Sequence, residues 1–394
     1  MARVVGLSLV GVLALGGAAG VTYAATLTHN IKQVDATKVL AQAQVQRPKA
    51  AKPANPSDPN AGKALNILLL GTDSRAGSDS SFASSANTGG ARADTTILMH
   101  ISGNRSHIDM ISIPRDTTVD VPSCVTANGK RTRAMFGQKF NAAFSEGFNV
   151  GGDLQSGALC SWQTVEKLTN VRLDGFMVVD FAGFAAMVDA LHGVPICIPE
   201  EIQSNDAGYL HLMPGNQVLD GRTALEYARA RHGSKGVGDQ SDTQRITRQQ
   251  ELLGAIARDV LSKNLLTDAP QLLSFMNALT HSLTTSSNLA SPTTLAGLGY
   301  SLRNLKASDI TFVTVPWGAD PQNPANVVWK PSAAALWANL NADRPAITPA
   351  GGAAPPAPAK TPTAGARASA PATPAPAPTP DQESFTGAQQ PVCK

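Results

Sequence analysis

Three short apolar runs constrain this chain more than any other feature: Leu65-Asn66-Ile67-Leu68-Leu69-Leu70, Thr95-Thr96-Ile97-Leu98-Met99-His100-Ile101 and Ile108-Asp109-Met110-Ile111-Ser112-Ile113. Each has the length of a strand; Gly71 ends the first and Pro114 stops the third. Runs that are apolar at nearly every position read as strands of a mostly buried sheet. Met177-Val178-Val179 continues the pattern and breaks at Asp180, where a helical stretch from Phe181 to Leu191 begins. His192-Gly193 closes that helix, because glycine readily takes the left-handed cap. Val194 to Ile198 reads as a further strand, and Arg248 to Leu261 carries apolar residues at helical spacing. Strands alternating with helices indicate a layered α/β domain.

Composition shifts divide the chain. After Arg3 an uncharged, mostly apolar stretch runs from Val4 to Thr28, about as long as a bilayer core demands of a helix. Residues 1–28 are expected to form a transmembrane signal anchor, with an uncleaved anchor favoured over cleavage near Tyr23-Ala24-Ala25. Residues 29–63 are expected to be an extracytoplasmic linker, its part from Gln42 to Lys63 rich in Ala, Pro, Lys and Asn. Residues 64–345 then read as one globular domain, and 346–394 as a disordered tail dense in Pro, Ala and Thr. A Ser/Gly-rich segment from Ser74 to Gly90 reads as a loop. The net charge of only +3 implies no nucleic-acid partner.

The cysteines are Cys124, Cys160, Cys197 and Cys393, with no Cys/His metal spacing. In an exported chain disulfides persist. Four cysteines allow three connectivities, and sequence alone does not choose among them. The pairing favoured is Cys124 with Cys160, leaving Cys197 with Cys393, and buried free thiols are the alternative.

Two acids flank the first two strands: Asp73 in Gly71-Thr72-Asp73-Ser74-Arg75, and Asp94 in Arg92-Ala93-Asp94-Thr95. Ligand sites of open α/β sheets gather at strand ends. Two carboxylates brought together there repel unless a cation sits between them, and a hard ion such as Mg2+ takes one or two carboxylates plus phosphate oxygens and water. Taken singly, each acid could equally cap a turn or pair on the surface. Arg115 directly follows the third strand, where Pro114 removes a ladder donor. Arg229 and Arg231 share one face if the chain there is extended. Arg245, Arg248 and Gln249 fall on one stripe of a helix that Asp242 could cap. Guanidinium suits bidentate contact with phosphate, so converging arginines with a metal suit a pyrophosphate; solvated faces are the plainer reading. No Gly-x-Ser-x-Gly elbow or His-Glu-x-x-His occurs, and the histidines are scattered.

These motifs resemble, in order, those of the LytR-CpsA-Psr family of cell-wall ligases. The resemblance runs from about Leu65 to Arg258. Besides the blocks above, it covers Ser112-Ile113-Pro114-Arg115-Asp116, Lys139-Phe140-Asn141-Ala142-Ala143-Phe144 and Val179-Asp180-Phe181-Ala182-Gly183-Phe184. It continues through Val188-Asp189-Ala190-Leu191-His192-Gly193-Val194, Leu219-Asp220-Gly221-Arg222-Thr223-Ala224-Leu225-Glu226-Tyr227, Arg229-Ala230-Arg231 and Arg245-Ile246-Thr247-Arg248-Gln249-Gln250. It implies a three-layer α/β/α domain with a central mixed sheet, outside the membrane. It also implies a phosphotransferase that moves a glycopolymer phosphate from a polyprenyl-pyrophosphate carrier to a muramic-acid hydroxyl of peptidoglycan. Carried over by motif, Asp73 and Asp94 would hold Mg2+ or Mn2+. Arg75, Arg92, Arg115, Arg229, Arg231, Arg245 and Gln249 would grip the phosphates, with Lys139 in the same pocket. Arg115 and Asp94 would be the catalytic pair, Arg115 facing the reacting phosphorus. Apolar residues between Phe176 and Leu191 are candidates for a lipid tunnel, with ordinary core as the alternative. Two departures stand out: His192 occupies a position that is often Gly in the family, with Gly193 expected to supply the positive φ, and the Ser/Gly loop stretches the spacing from Asp73 to Asp94. A pyrophosphate hydrolase and a non-catalytic lipid-carrier binding protein are the rival readings.

Overall fold

The computed structural model describes residues 31–49, 62–72, 90–205, 209–231, 233–237, 242–262, 275, 277–278, 280, 283–347, 384–387, 389 and 393. The strands are β1 (Lys32–Val34), β2 (Leu65–Thr72), β3 (Ala93–Ile101), β4 (Ile108–Ser112), β5 (Thr118–Val121), β6 (Met135–Lys139), β7 (Gly175–Asp180), β8 (Val194–Ile198), β9 (Ile202–Ser204), β10 (Leu210–Leu212), β11 (Gly215–Leu219), β12 (Gly233–Lys235), β13 (Leu283–Ser286), β14 (Ile310–Thr314), β15 (Trp317–Ala319), β16 (Val327–Trp329) and β17 (Ser384–Thr386). The helices are α1 (Ala36–Gln42), α2 (Ala142–Gly151), α3 (Leu154–Thr169), α4 (Phe181–Ala190), α5 (Gly221–Arg229), α6 (Asp242–Ser262), α7 (Pro292–Ser301) and α8 (Ala333–Asn341).

Among the described residues, eight strands form one mixed sheet in the order β1-β13-β7-β2-β3-β4-β14-β17. β2 runs antiparallel to β3 and parallel to β7, while β4 runs antiparallel to β3 and parallel to β14. Strand residues alternate between faces, and that alternation sorts the two cores. Leu68, Leu70, Leu98, Phe176 and Val178 join α1, α2, α3 and α8 on one face. Ile67, Ile97, Met110 and Phe312 face the other way, where Leu253 of α6 and Leu298 of α7 cover them. Burying each such side chain contributes roughly 1.5–3 kcal/mol. The covered sheet expected from the apolar runs is therefore present.

Local boundaries follow backbone chemistry. Asp180 caps α4 by accepting from Gly183 N at 2.8 Å. The helix ends at a tight reversal in which both His192 (φ 63°) and Gly193 (φ 86°) are left-handed. Gly193 supplies the positive φ expected of it, and His192 before it is left-handed as well; histidine is among the non-glycine residues enriched there. The helix expected from Arg248 starts earlier, at Asp242, and runs for 21 residues. No described helix is long and apolar enough to cross a membrane, and the expected anchor at residues 1–28 lies outside the described residues.

Two terminal segments depart from the expected organisation. Residues 31–49, expected as linker, are built into the domain. β1 pairs in parallel with β13, and Ala36 and Leu40 of α1 are core residues. Arg47 forms an ion pair with Glu166 at 2.7 Å, donates to Leu173 O at 2.7 Å and sits 5.0 Å above the Trp162 ring. The linker reading failed because these contacts are with residues more than a hundred positions away. Within the expected tail, β17 pairs antiparallel with β14, and Arg258 donates to Gly387 O at 2.6 Å. The disulfides are Cys124–Cys160 and Cys197–Cys393, with Cα atoms 5.1 and 5.6 Å apart, which is the pairing favoured above.

The Arg47–Glu166 pair gives a test of this integration. Both side chains are under a tenth exposed, so Arg47→Ala leaves a buried carboxylate without its partner. The expected cost is about 3–5 kcal/mol, read as a lower urea midpoint with an unchanged slope. A chain beginning at residue 64 should likewise be less stable than the full chain.

Candidate functional site

One edge of the sheet collects the C-terminal ends of β2, β4, β7 and β14 and the N-terminal end of β3. Register places Thr72 between Ala93 and Asp180, and Ser112 between Ile97 and Thr314. Beyond β4, Ile113 N still donates to Thr96 O at 2.9 Å; then Pro114 ends the ladder and Thr117 N donates back to Pro114 O at 3.1 Å. That turn throws Arg115 off the sheet edge beside Asp94, to whose Oδ1 its Nη1 donates. Phe140 N donates to Thr117 O at 2.8 Å and Asn141 N to Arg115 O at 3.2 Å. These bonds bring the end of β6 against the same turn. Lys139 Nζ then lies 2.7 Å from Asp116 Oδ1, while Arg115 Nε is 3.5 Å from Asp116 Oδ2. From α6, Arg245 Nη2 donates to Asp94 O at 3.0 Å.

Asp116 is the residue that the sequence reading passed over. Burial alone would raise its carboxyl, but the hydrogen bond from Lys139 and the charges of Arg115, Lys139 and Arg245 outweigh burial and hold it below the usual carboxylate range. Its only sequence signal was its place after Arg115. Gln250 was also missed. It is buried, and its Nε2 donates to Ser112 Oγ at 2.9 Å and Thr314 Oγ1 at 3.2 Å, tying α6 to the ends of β4 and β14.

The expected stripe on α6 splits. Arg245 faces the site and Gln249 the cavity described below, whereas Arg248 turns away and donates to the carbonyls of Ala230 and Val237. Arg229 and Arg231 do not share an extended face. Arg229 ends α5 and stacks 4.4 Å over the Phe181 ring, and Arg231 follows in a loop with its Nε buried and without a hydrogen-bond partner among the described residues. Arg92 is exposed two residues before Asp94. Asp73 and Arg75 lie outside the described residues, Asp73 directly after the last residue of β2. The paired-carboxylate expectation therefore has Asp94 in place at this edge.

Beside these charges, between the sheet and α4, α5 and α6, lies a cavity of about 270 Å3. Met177, Val179, Phe181, Phe184 and Leu253 are among its apolar walls; Asp180, Arg229 and Gln249 line it as polar groups. Strand alternation settles which residues of 176–191 are lining: Phe176 and Val178 face the opposite core, while Met177 and Val179 face the cavity. Ile31, just ahead of β1, packs with Leu283 against Met177 and Val179.

A divalent ion is implied by the expected carboxylates. Among the described residues no three His, Cys, Asp or Glu side chains cluster to cage a metal. About a quarter of the Asp94 side chain is exposed, and the Thr72 and Thr96 hydroxyls nearby are buried without partners among the described residues. An all-oxygen donor set that leaves room for phosphate oxygens and water fits Mg2+ better than a softer metal.

The family profile described as LytR_cpsA_psr matches residues 25–344, starting well ahead of the domain boundary expected at residue 64. Among curated relatives, the cell wall biosynthesis protein LcpA of Corynebacterium glutamicum is 28% identical over 64% of this chain and 50% of its own length. The protein named polyisoprenyl-teichoic acid--peptidoglycan teichoic acid transferase TagU, of Oceanobacillus iheyensis, is 33% identical over 54% of this chain and 57% of its own. The chain thus spans about half the length of these relatives. B. subtilis TagV superposes with a TM-score of 0.52 at 21% identity, covering 72% of this chain and 97% of TagV. A structure titled TagT bound to LI-WTA gives 0.52 at 22% identity over 76% and 97%. At such identities the likeness is one of fold.

The Asp116 environment gives a pH prediction. Its folded-state carboxyl is depressed, so the stabilisation is fully present above the unfolded value, about 3.9. It is lost as pH falls through the lower folded value. Asp116→Asn should therefore lower the thermal midpoint at neutral pH and flatten its fall below about pH 4, measured by circular dichroism melts across pH.

Proposed function

The chain belongs to the LytR-CpsA-Psr family, and from that premise we propose that it transfers a glycopolymer phosphate from a polyprenyl-pyrophosphate carrier to a hydroxyl of peptidoglycan. The observation that carries this reading is the junction of a cationic sheet edge, holding Arg115, Arg245 and Lys139, with an apolar cavity lined at its polar end by Arg229 and Gln249. A diphosphate attached to a long hydrocarbon has those two parts. The guanidiniums supply bidentate donors to phosphate oxygens, and the walls formed by Met177, Val179, Phe181 and Phe184 exclude water from the chain.

In the proposed reaction the acceptor hydroxyl oxygen attacks the glycan-proximal phosphorus. The bond from that phosphorus to the bridging oxygen breaks, and the electron pair leaves with polyprenyl phosphate. The hydroxyl proton passes to a base or water, and the product is a phosphodiester. Such transfers depend on positioning and charge stabilisation more than on covalent help from the protein. Arg115 stabilises charge on the phosphoryl oxygens, while Asp94 and Asp116 hold its guanidinium in place. Asp94, with Asp73, would hold Mg2+, which supplies charge neutralisation to the diphosphate when bound. An anchor formed by residues 1–28 would place the domain outside the membrane. Two disulfides suit an oxidising compartment.

The test is to supply purified protein with lipid-linked glycan, with and without peptidoglycan, and to follow the phosphorylated glycan by mass spectrometry. Attachment to wall fragments is the expected result; free phosphorylated glycan in every case would instead identify a hydrolase. Arg115→Ala should reduce turnover by about 10²–10³-fold, as loss of one preorganised charge donor does, with the fold intact by circular dichroism. Val179→Trp should fill the cavity and disfavour a long-chain donor relative to a geranyl-length one by about tenfold or more.

A further inference from the structure

The cavity and the β5–β6 hairpin lie on opposite faces of the sheet. The cavity walls Met177 and Ile97 belong to the face covered by α6 and α7, whereas Val119 and Val121 of β5 pack into the core covered by α3 and α8. Arg115 emerges at the edge between them. The hairpin is fastened to the site at its base, where Lys139 meets Asp116.

Its outer surface is basic. From Lys130 to Lys139 the chain carries Lys130, Arg131, Arg133 and Lys139 and no acid. Lys130, Arg131, Arg133, Phe136, Gly137 and Gln138 are all exposed, Arg133 by 82% of its side chain and Phe136 by 74%. The acid nearest Arg133 is Glu146, at 3.9 Å. Phe136 nevertheless sits on ordered backbone. Gly137 is left-handed at φ 59° and its N–H donates to Asp120 Oδ1 at 3.0 Å, while Gln138 Nε2 donates to Phe136 O at 3.1 Å. Arg131 Nη2 donates to Ala43 O at 2.9 Å, but the guanidinium stays exposed, and an aromatic ring held in water beside exposed cations is a binding feature more than a folding one.

We propose that this strip is the docking surface for the acceptor wall polymer, a chain of amino sugars bearing carboxylate-rich peptides. The inference rests on the transferase reading. In an in-line displacement the attacking oxygen approaches opposite the leaving one. The departing polyprenyl phosphate lies on the cavity face, so the acceptor approaches from the hairpin face. Arg133 and Lys130 meet carboxylates, and the Phe136 ring meets the apolar face of a sugar.

The experiment compares the full chain with Phe136→Ala, Arg133→Glu and, as a remote exposed-aromatic control, Tyr300→Ala. Binding is measured by co-sedimentation with purified peptidoglycan stripped of other polymers, over a range of salt. Affinity for a polyprenyl diphosphate and for a lipid-linked glycan is measured separately. The two hairpin variants should weaken sedimentation about tenfold, with donor affinity, thermal midpoint and the Tyr300→Ala control unchanged. Sedimentation equal to that of the unmodified chain would overturn the proposal. So would a fall in lipid-linked glycan affinity alone, which would assign the strip to the donor's own polymer. Wall binding needs no turnover, so a protein that binds wall through the hairpin but transfers nothing would defeat the transferase reading and leave the docking surface standing.

Discussion

Cations held close together in a partly buried place repel one another, and the structure depends on how that repulsion is met. Arg115, Lys139 and Arg245 converge on two acids, Asp94 and Asp116, which meet them through an ion pair, a hydrogen bond and a backbone carbonyl. Asp116 is held ionised by those same neighbours. The acids neutralise the cluster enough to let it fold, yet Arg229, at the polar end of the adjoining cavity, still adds positive charge. A site left cationic after its internal pairing is prepared for an anion with several oxygens. The diphosphate of the proposed donor is such an anion, and preorganised donors would cost little to reorient on binding it.

The second constraint is the two-residue period of the strands. Phe176 and Val178 bury into the core beneath α3, while Met177 and Val179 line the cavity on the opposite face. One strand thus supplies both rigid support and apolar cavity wall. Its last residue, Asp180, caps α4, whose Phe181 lies under the Arg229 guanidinium. The polar end and the apolar body of the cavity are therefore set by consecutive residues.

The ends of the chain complete the body. Arg47 and α1 pack on the α3 face, and β17 covers the β14 edge of the sheet, a place where unpaired strand groups invite association. The Cys197–Cys393 bridge fixes the C-terminal region against β8, and Cys124–Cys160 joins the start of the β5–β6 region to α3. These contacts span long sequence separations, so their sequences read locally as linker or tail. Pro and Ala content reports on local propensity and is blind to a partner a hundred residues away.

The sequence by itself determined the covered sheet, the helices flanking it and the ordered motifs that place Asp94, Arg115, Arg245 and Gln249 near strand ends, because apolar periodicity and chain breaks are local properties. It also favoured the pairing that the two disulfides adopt. Only the tertiary structure decided which arginines of a motif serve the site. Arg248 and Arg245 are three residues apart on one helix, yet one binds the carbonyls of Ala230 and Val237 and the other meets Asp94. It likewise decided that Asp116 is the acid shared by three cations and that His192 takes a left-handed turn. For the arginines and Asp116 the deciding quantity is the distance to groups remote in sequence. Spacing along one element restricts that distance, but the packing of two elements sets it.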